Sequence, residues 1–138
     1  MQDFLGCDRD RLEALLDRAT RDSGTVDEEA YEAFRRGLLQ HIAMEEKVLF
    51  PALRPDDGPL PDDLARLRKD HGYIAHQLVI RPTPDLVADL RAVLDRHNAL
   101  EEGDRGVYAR ADALPNAPDL VAQMKAWPTV KVAPYRRG

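Results

Sequence analysis

Four stretches of three- and four-residue apolar spacing, cut apart by proline and glycine, constrain this chain more than any other feature. Leu5, Arg9, Leu12, Leu15 and Leu16 share one stripe of a helix predicted over roughly 7–21, with Ser23-Gly24 as its stop. A second helix over roughly 26–50 carries Phe34, Leu38, His41, Glu45, Val48 and Leu49 on one face. Thr25 followed by Glu28 reads as its capping box, and Pro51 and Pro55 read as its terminators. After a loop at 54–61, Pro61-Asp62-Asp63 opens a third helix with the stripe Leu64, Leu67, His71, Ile74 and Leu78. A fourth spans roughly 84–102, with Thr83 as N-cap and Pro84 as first residue. Its stripe is Leu86, Leu90, Val93, Leu94, His97, Leu100 and Glu101, and Gly103 lies just past its end. Short helical pieces follow around 106–113 and 118–126, then an extended tail over 127–138. Clean period-two alternation is missing. The expected fold is all-α: an up-and-down antiparallel four-helix bundle with short C-terminal helices, forming one domain over residues 1–138.

Composition narrows the function classes. With 43% apolar and 33% charged residues, the 138-residue chain can bury a core. A net charge of −5 argues against nucleic acid and against anionic membranes as partners. The longest apolar run, Val48–Leu53, is far too short for a membrane span, and the opening MQDFLGCDRD has no apolar leader region. A cytoplasmic location is the resulting expectation. The single Cys7 offers neither an internal disulfide nor zinc-finger spacing, and reads as a small packing residue. Phosphate-binding loops, dinucleotide fingerprints and nucleophile elbows are not found.

The apolar stripes contain costly residues. His41 and Glu45 stand four apart on the second helix, His97 and Glu101 four apart on the fourth, and His71 lies on the third. Spacing of four stacks two side chains one turn apart, where both reach one ion or bridge two. A carboxylate on a core face costs several kcal/mol unless compensated, and a divalent cation compensates most simply. One such pair arises by chance; two pairs on separate helices with an in-register histidine on a third point to a metal. Mixed imidazole and carboxylate donors suit iron, manganese or zinc. The metal-free alternative is three core histidines bonded to carboxylates, with the Arg9 guanidinium neutralising a glutamate.

The segments HIAMEEKVLFP (41–51), KDHGYI (69–74) and HNALEEGDRGVY (97–108) resemble the HHE domain of the hemerythrin family, and CDRDRLEALL (7–16) resembles its first-helix motif. The resemblance covers roughly residues 3–114, in the family's order. It implies a four-helix bundle around a non-haem di-iron centre that binds or senses dioxygen, nitric oxide or iron, in some members with redox activity. It also implies His41 as terminal ligand of one iron, Glu45 as a bridge, His71 and His97 as ligands of the other iron, and Glu101 as the second bridge. Glu102 matches the alternative spacing of the oxygen carriers; four-residue spacing over His97 favours Glu101.

Two departures alter that centre. Arg9 stands where the family has its first-helix histidine, and a guanidinium is no substitute for imidazole as a ligand. Ala75 stands where oxygen carriers have a second histidine on the third helix. His76, five residues from His71, cannot replace it without a π-bulge and reads as a partly exposed residue. The expectation is one firmly held metal, with the second position weak, absent or completed by Glu46 and water, and with Arg9 paired to Glu45 or Glu46. Glu46 and Glu102 are otherwise neighbours of the site. Tyr73 and Tyr108 are either donors beside the centre or ordinary packing residues. Trp127 caps one end of the bundle, and Arg136-Arg137 is tail charge. The functional expectation is a single-iron or di-iron protein handling a small diatomic ligand, peroxide or iron itself, with a homodimer compatible. The alternatives are an oxidoreductase acting on peroxide or a small organic substrate, and a metal-free interaction module.

Overall fold

The structure, a computed structural model, describes residues 1–22 and 24–136. The expectations placed on Ser23 and Arg137 lie outside these residues. The helices are α1 (Gln2–Ala19), α2 (Glu28–Met44), α3 (Asp62–Leu78), α4 (Pro84–Glu101), α5 (Val107–Asp112) and α6 (Ala117–Lys125). Beyond Met44, α2 continues through a π-helical turn, Glu45–Leu49, into a last turn at Phe50–Leu53. No strand occurs among the described residues, only a bridge between Ile80 and Arg136. No helix among them is long and apolar enough to cross a membrane.

Three boundaries differ from expectation. Helix α1 starts at Gln2, five residues before the predicted start, and ends at Ala19. Gly6 costs a helix interior about 1 kcal/mol, but Met1 and Leu5 are both buried against the C-terminal helices, and the Met1 amino group pairs with Asp112. That burial outweighs the glycine. Helix α2 is capped by Asp27, not by a Thr25–Glu28 box: the Asp27 carboxylate accepts from Glu29 N–H at 3.1 Å and Ala30 N–H at 3.2 Å. Pro51 does not end α2. The Phe50 N–H donates to the Glu45 carbonyl, a five-residue span, so the widened turn absorbs a proline that an α-turn would reject. By contrast, Thr83 caps α4 as expected, accepting from Leu86 N–H at 3.2 Å, and Gly103 follows with φ of 95°.

The core falls into two apolar clusters, and each long helix crosses both. Leu5 of α1, Met44 of α2 and Leu67 of α3 belong to one; Leu12 of α1, Leu38 of α2, Ile74 of α3 and Leu90 of α4 belong to the other. Leu100 of α4 packs against the first cluster. Arg9, His41, His71 and His97 are the residues between, so the two clusters sandwich a polar layer. The direction of crossing reverses from each helix to the next. Trp127 packs against the first cluster, and the tail is strapped to α2: Gln40 donates to the Trp127 carbonyl and accepts from Val130 N–H at 2.8 Å.

Candidate metal centre

Among the described residues, every buried Asp, Glu, His, Lys or Arg except Arg35 lies in that polar layer: His41, Glu45, His71, His97 and Glu101. Glu45 is 0% exposed. Its Oε1 stands 3.3 Å from His71 Nε2, and His71 Nε2 stands 3.2 Å from His97 Nε2. Glu101 Oε1 lies 2.8 Å from His97 Nε2. Ligand atoms of Glu45, His71 and His97 all fall within 4.8 Å of one another, a candidate metal site. His41 flanks it, with Nε2 3.7 Å from Glu45 Oε1.

The opposite edge of each imidazole meets a carboxylate. His41 Nδ1 faces Asp8 at 2.8 Å, His71 Nδ1 faces Glu46 at 2.9 Å, and His97 Nδ1 faces Asp70 at 3.4 Å. All three Nε2 atoms point inward: those of His71 and His97 face each other and the Glu45 and Glu101 oxygens, and that of His41 meets the Tyr108 hydroxyl at 3.1 Å. A neutral imidazole that donates Nδ1–H to its carboxylate offers its Nε2 lone pair to a metal. Phe50 stacks on His71 at 5.5 Å and 2° between ring planes, which holds that ring flat. Asp8 and Asp70 were missed in the sequence. Asp70 adjoins His71 but serves His97, and Asp8 lies 33 residues before its histidine, so only the packing of helices reveals the pairs.

Electrostatics follow from this crowding. Burial pushes the Glu45 carboxyl up, but the facing His41, His71 and His97 outweigh it and hold it below the usual range. Burial opposes charge on His71, yet Glu45 and Glu46 overcome it and raise its pKa to about 9. His97 moves the other way, lowered by burial and by the His71 charge beside it. The opposite directions fit one proton between two Nε2 atoms 3.2 Å apart. Asp8 and Glu46 stay low despite burial, because His41 and Arg11 face the first and His71 and Arg68 the second.

The remaining residues singled out in the sequence divide. Arg9 does not reach Glu45 or Glu46. Its guanidinium pairs with Glu102, whose side chain is 39% exposed at the rim. Glu46 is occupied on both oxygens, by His71 and by Arg68 at 3.3 Å. Tyr73 is 44% exposed and far from donor geometry, whereas Tyr108 is buried and its hydroxyl donates to Glu45 Oε2 at 3.1 Å. Burial and the Glu45 charge raise Tyr108 well above the usual tyrosine range. His76 and Ala75 sit on an unbroken α-helix, His76 exposed. Cys7 is exposed, not packed.

A cavity of about 40 Å³ adjoins the cluster. Apolar side chains such as Leu12, Leu16, Phe34, Leu38 and Ile74 form much of its wall, and His41, Glu45, His71, His97 and Glu101 its polar side. Arg9 lines this cavity and also a separate surface depression that includes Glu102 and Tyr108.

Comparison with curated proteins and with solved structures returned no significant match. The family profile described as hemerythrin HHE cation binding domain matches residues 8–109, which include every residue of the buried cluster and its three outer carboxylates. The match covers well over half of the chain, so the protein belongs to the hemerythrin HHE cation-binding domain family.

Proposed function

We propose that this protein is a non-haem iron-binding, up-and-down four-helix bundle whose metal is held by Glu45, His71, His97 and Glu101, with His41 at the adjoining position. The observation that carries this reading is the convergence of His71 Nε2, His97 Nε2, Glu45 Oε1 and Glu101 Oε1 within a layer closed off from solvent. Lone pairs facing one another in a dry interior repel unless a proton or a cation stands among them. Glu45 Oε1 and Glu101 Oε2 are buried without a hydrogen-bond partner, as oxygens meant for a cation would be. Mixed nitrogen and oxygen donors suit iron, with manganese and zinc as competitors.

Iron held there would supply one-electron chemistry toward a small ligand. The chain's own residues set the rest. Asp8, Glu46 and Asp70 fix the imidazole tautomers and ring orientations. The cavity beside the cluster, about 40 Å³, has room for a diatomic molecule or peroxide, and its outer wall carries Glu13, Arg91, Asp95 and Asn98. This size favours dioxygen, nitric oxide or peroxide over a small organic substrate, so an oxidoreductase reading is carried by peroxide alone. The metal-free module loses the compensation assigned to Arg9, which pairs with Glu102; what remains to it is the pairing of the histidines with Glu45 and Glu101, and melting with and without chelator separates the two readings.

Melting the purified protein with and without chelator, then adding iron and nitric oxide, tests the reading. Bound metal stabilises by mass action, about 2.7 kcal/mol at a hundredfold excess over its dissociation constant. For a chain of this size that is roughly 10 °C. Unchanged melting with chelator and with added iron would sink it.

A further inference from the structure

We propose that His41, Tyr108 and Glu45 form a second cation position, in which the Tyr108 oxygen takes the place of the imidazole that the first helix lacks. The inference rests on the reading that the centre binds iron. His41 Nε2 and Tyr108 Oη are 3.1 Å apart, Tyr108 Oη and Glu45 Oε2 3.1 Å, and His41 Nε2 and Glu45 Oε1 3.7 Å. Donors bound at about 2.0–2.2 Å around one ion stand roughly 2.8–3.6 Å from each other. The three groups therefore have nearly the spacing of a coordination shell, as the Glu45–His71–His97–Glu101 set does beside them. Glu45 spans both groups: its Oε1 faces His71 and lies 3.7 Å from His41, while its Oε2 meets Tyr108, so the carboxylate is common to the two.

Neither of the two charged groups expected from the sequence completes this position. Glu46 is turned to His71 and Arg68, and the Arg9 guanidinium is held by Glu102 at the rim. Tyr108 arrives from α5, outside the four long helices, and is 1% exposed. Its approach depends on Gly106, the residue before α5. A Cβ there would lie 2.5 Å from the Glu102 carbonyl oxygen and 2.6 Å from that of Glu101, so only glycine lets α5 fold back this tightly against α4. His41 Nδ1 is already on Asp8, which leaves Nε2 for the ion. Binding of a ferric ion here would replace the phenol proton, which passes to solvent, by an oxygen–metal bond. No electron changes hands. Phenolate oxygen is a known donor to iron.

The test is the visible spectrum and iron content of the ferric-loaded protein, wild type against Tyr108→Phe. The wild type should show a phenolate-to-iron charge-transfer band with phenolate vibrations in resonance Raman, and two irons per chain. Tyr108→Phe should lose the band and fall to one iron. A second measurement needs no variant: gallium(III), which is not reduced, should produce the ultraviolet difference spectrum of a tyrosinate on binding. One iron per chain without a phenolate band, or a Tyr108→Phe spectrum and iron count equal to wild type, overturns this inference alone. A wild-type chain that binds no iron overturns the reading beneath it as well.

Discussion

Glu46→Ala removes the anchor from the best-held imidazole of the centre. Glu46 Oε1 accepts from His71 Nδ1 at 2.9 Å, and its other oxygen pairs with Arg68. Losing it releases the His71 ring about its own axis and lowers the basicity of Nε2; the Phe50 stack still restrains tilt. Removing such an outer carboxylate costs about 10–100-fold in metal affinity, or about 1.4–2.7 kcal/mol. Because Phe50 keeps one rotational restraint, the expected loss is in the middle, on the order of 30-fold. Glu46→Gln keeps an acceptor without its charge and should lose about 3–10-fold, since charge-assisted hydrogen bonds are roughly twice as strong as neutral ones. Asp70→Asn should lose less than Glu46→Ala, because Asp70 stands 3.4 Å from His97 Nδ1 and is already shared with Arg96. Arg68→Ala, at a 61% exposed side chain, should change little. Competitive titration of iron(II) or zinc(II) against a chelator at fixed pH reads all four. An Asp70→Asn loss as large as that of Glu46→Ala, or all variants within about twofold of wild type, would refute the idea that outer carboxylates tune this centre.

Three further outcomes are expected. In metal-free protein the His71 pKa is raised from 6.5 to about 9, so its proton contributes stability that is fully present below pH 6.5 and lost as pH rises through 9; melting temperature should fall across that window, and a flat profile in chelator would contradict the Glu45–His71–Glu46 arrangement. Gly106→Ala should cost about 1–3 kcal/mol by overpacking against the Glu101 and Glu102 carbonyls and should disturb Tyr108, seen as lower melting together with altered tyrosine fluorescence; unchanged melting would show that α5 has room to move. Asp27→Ala removes the acceptor for two N–H groups and should cost about 1 kcal/mol, or roughly 3–4 °C; circular dichroism melts would expose the error if Thr25→Ala cost more.

Much of this was legible in the sequence because helix phase and burial are the same information. The stripes of α2 and α3 are buried residue for residue, and the three histidines and two glutamates fall between the two apolar clusters. What escaped was set by contacts between elements. Asp8 and Asp70 reach histidines 33 and 27 residues away, and no spacing rule links them; Glu46 was legible as a neighbour of the site, but its bond to His71, 25 residues on, was not. The π-turn after Met44 leaves the local apolar pattern intact, so Pro51 looked like a stop. Tyr73 and Tyr108 looked equivalent, yet Tyr73 is two residues from His71, about 200° around the helix, which already implies the outer face. Tyr108 rides on a six-residue helix whose position no periodicity gives. Arg9 pairs with Glu102 because α4 ends at Glu101 and turns that side chain to the rim.

The most direct test of the buried donor cluster is the metal content of the protein purified without added chelator, alongside Glu45→Ala and His97→Ala, with refolded chain titrated with iron(II) as a check. The account predicts at least one tightly bound ion per wild-type chain and near-complete loss in both variants, because each removes a donor from the converging set. Wild-type protein that stays empty through purification and titration, or variants that keep the wild-type metal count, would contradict it.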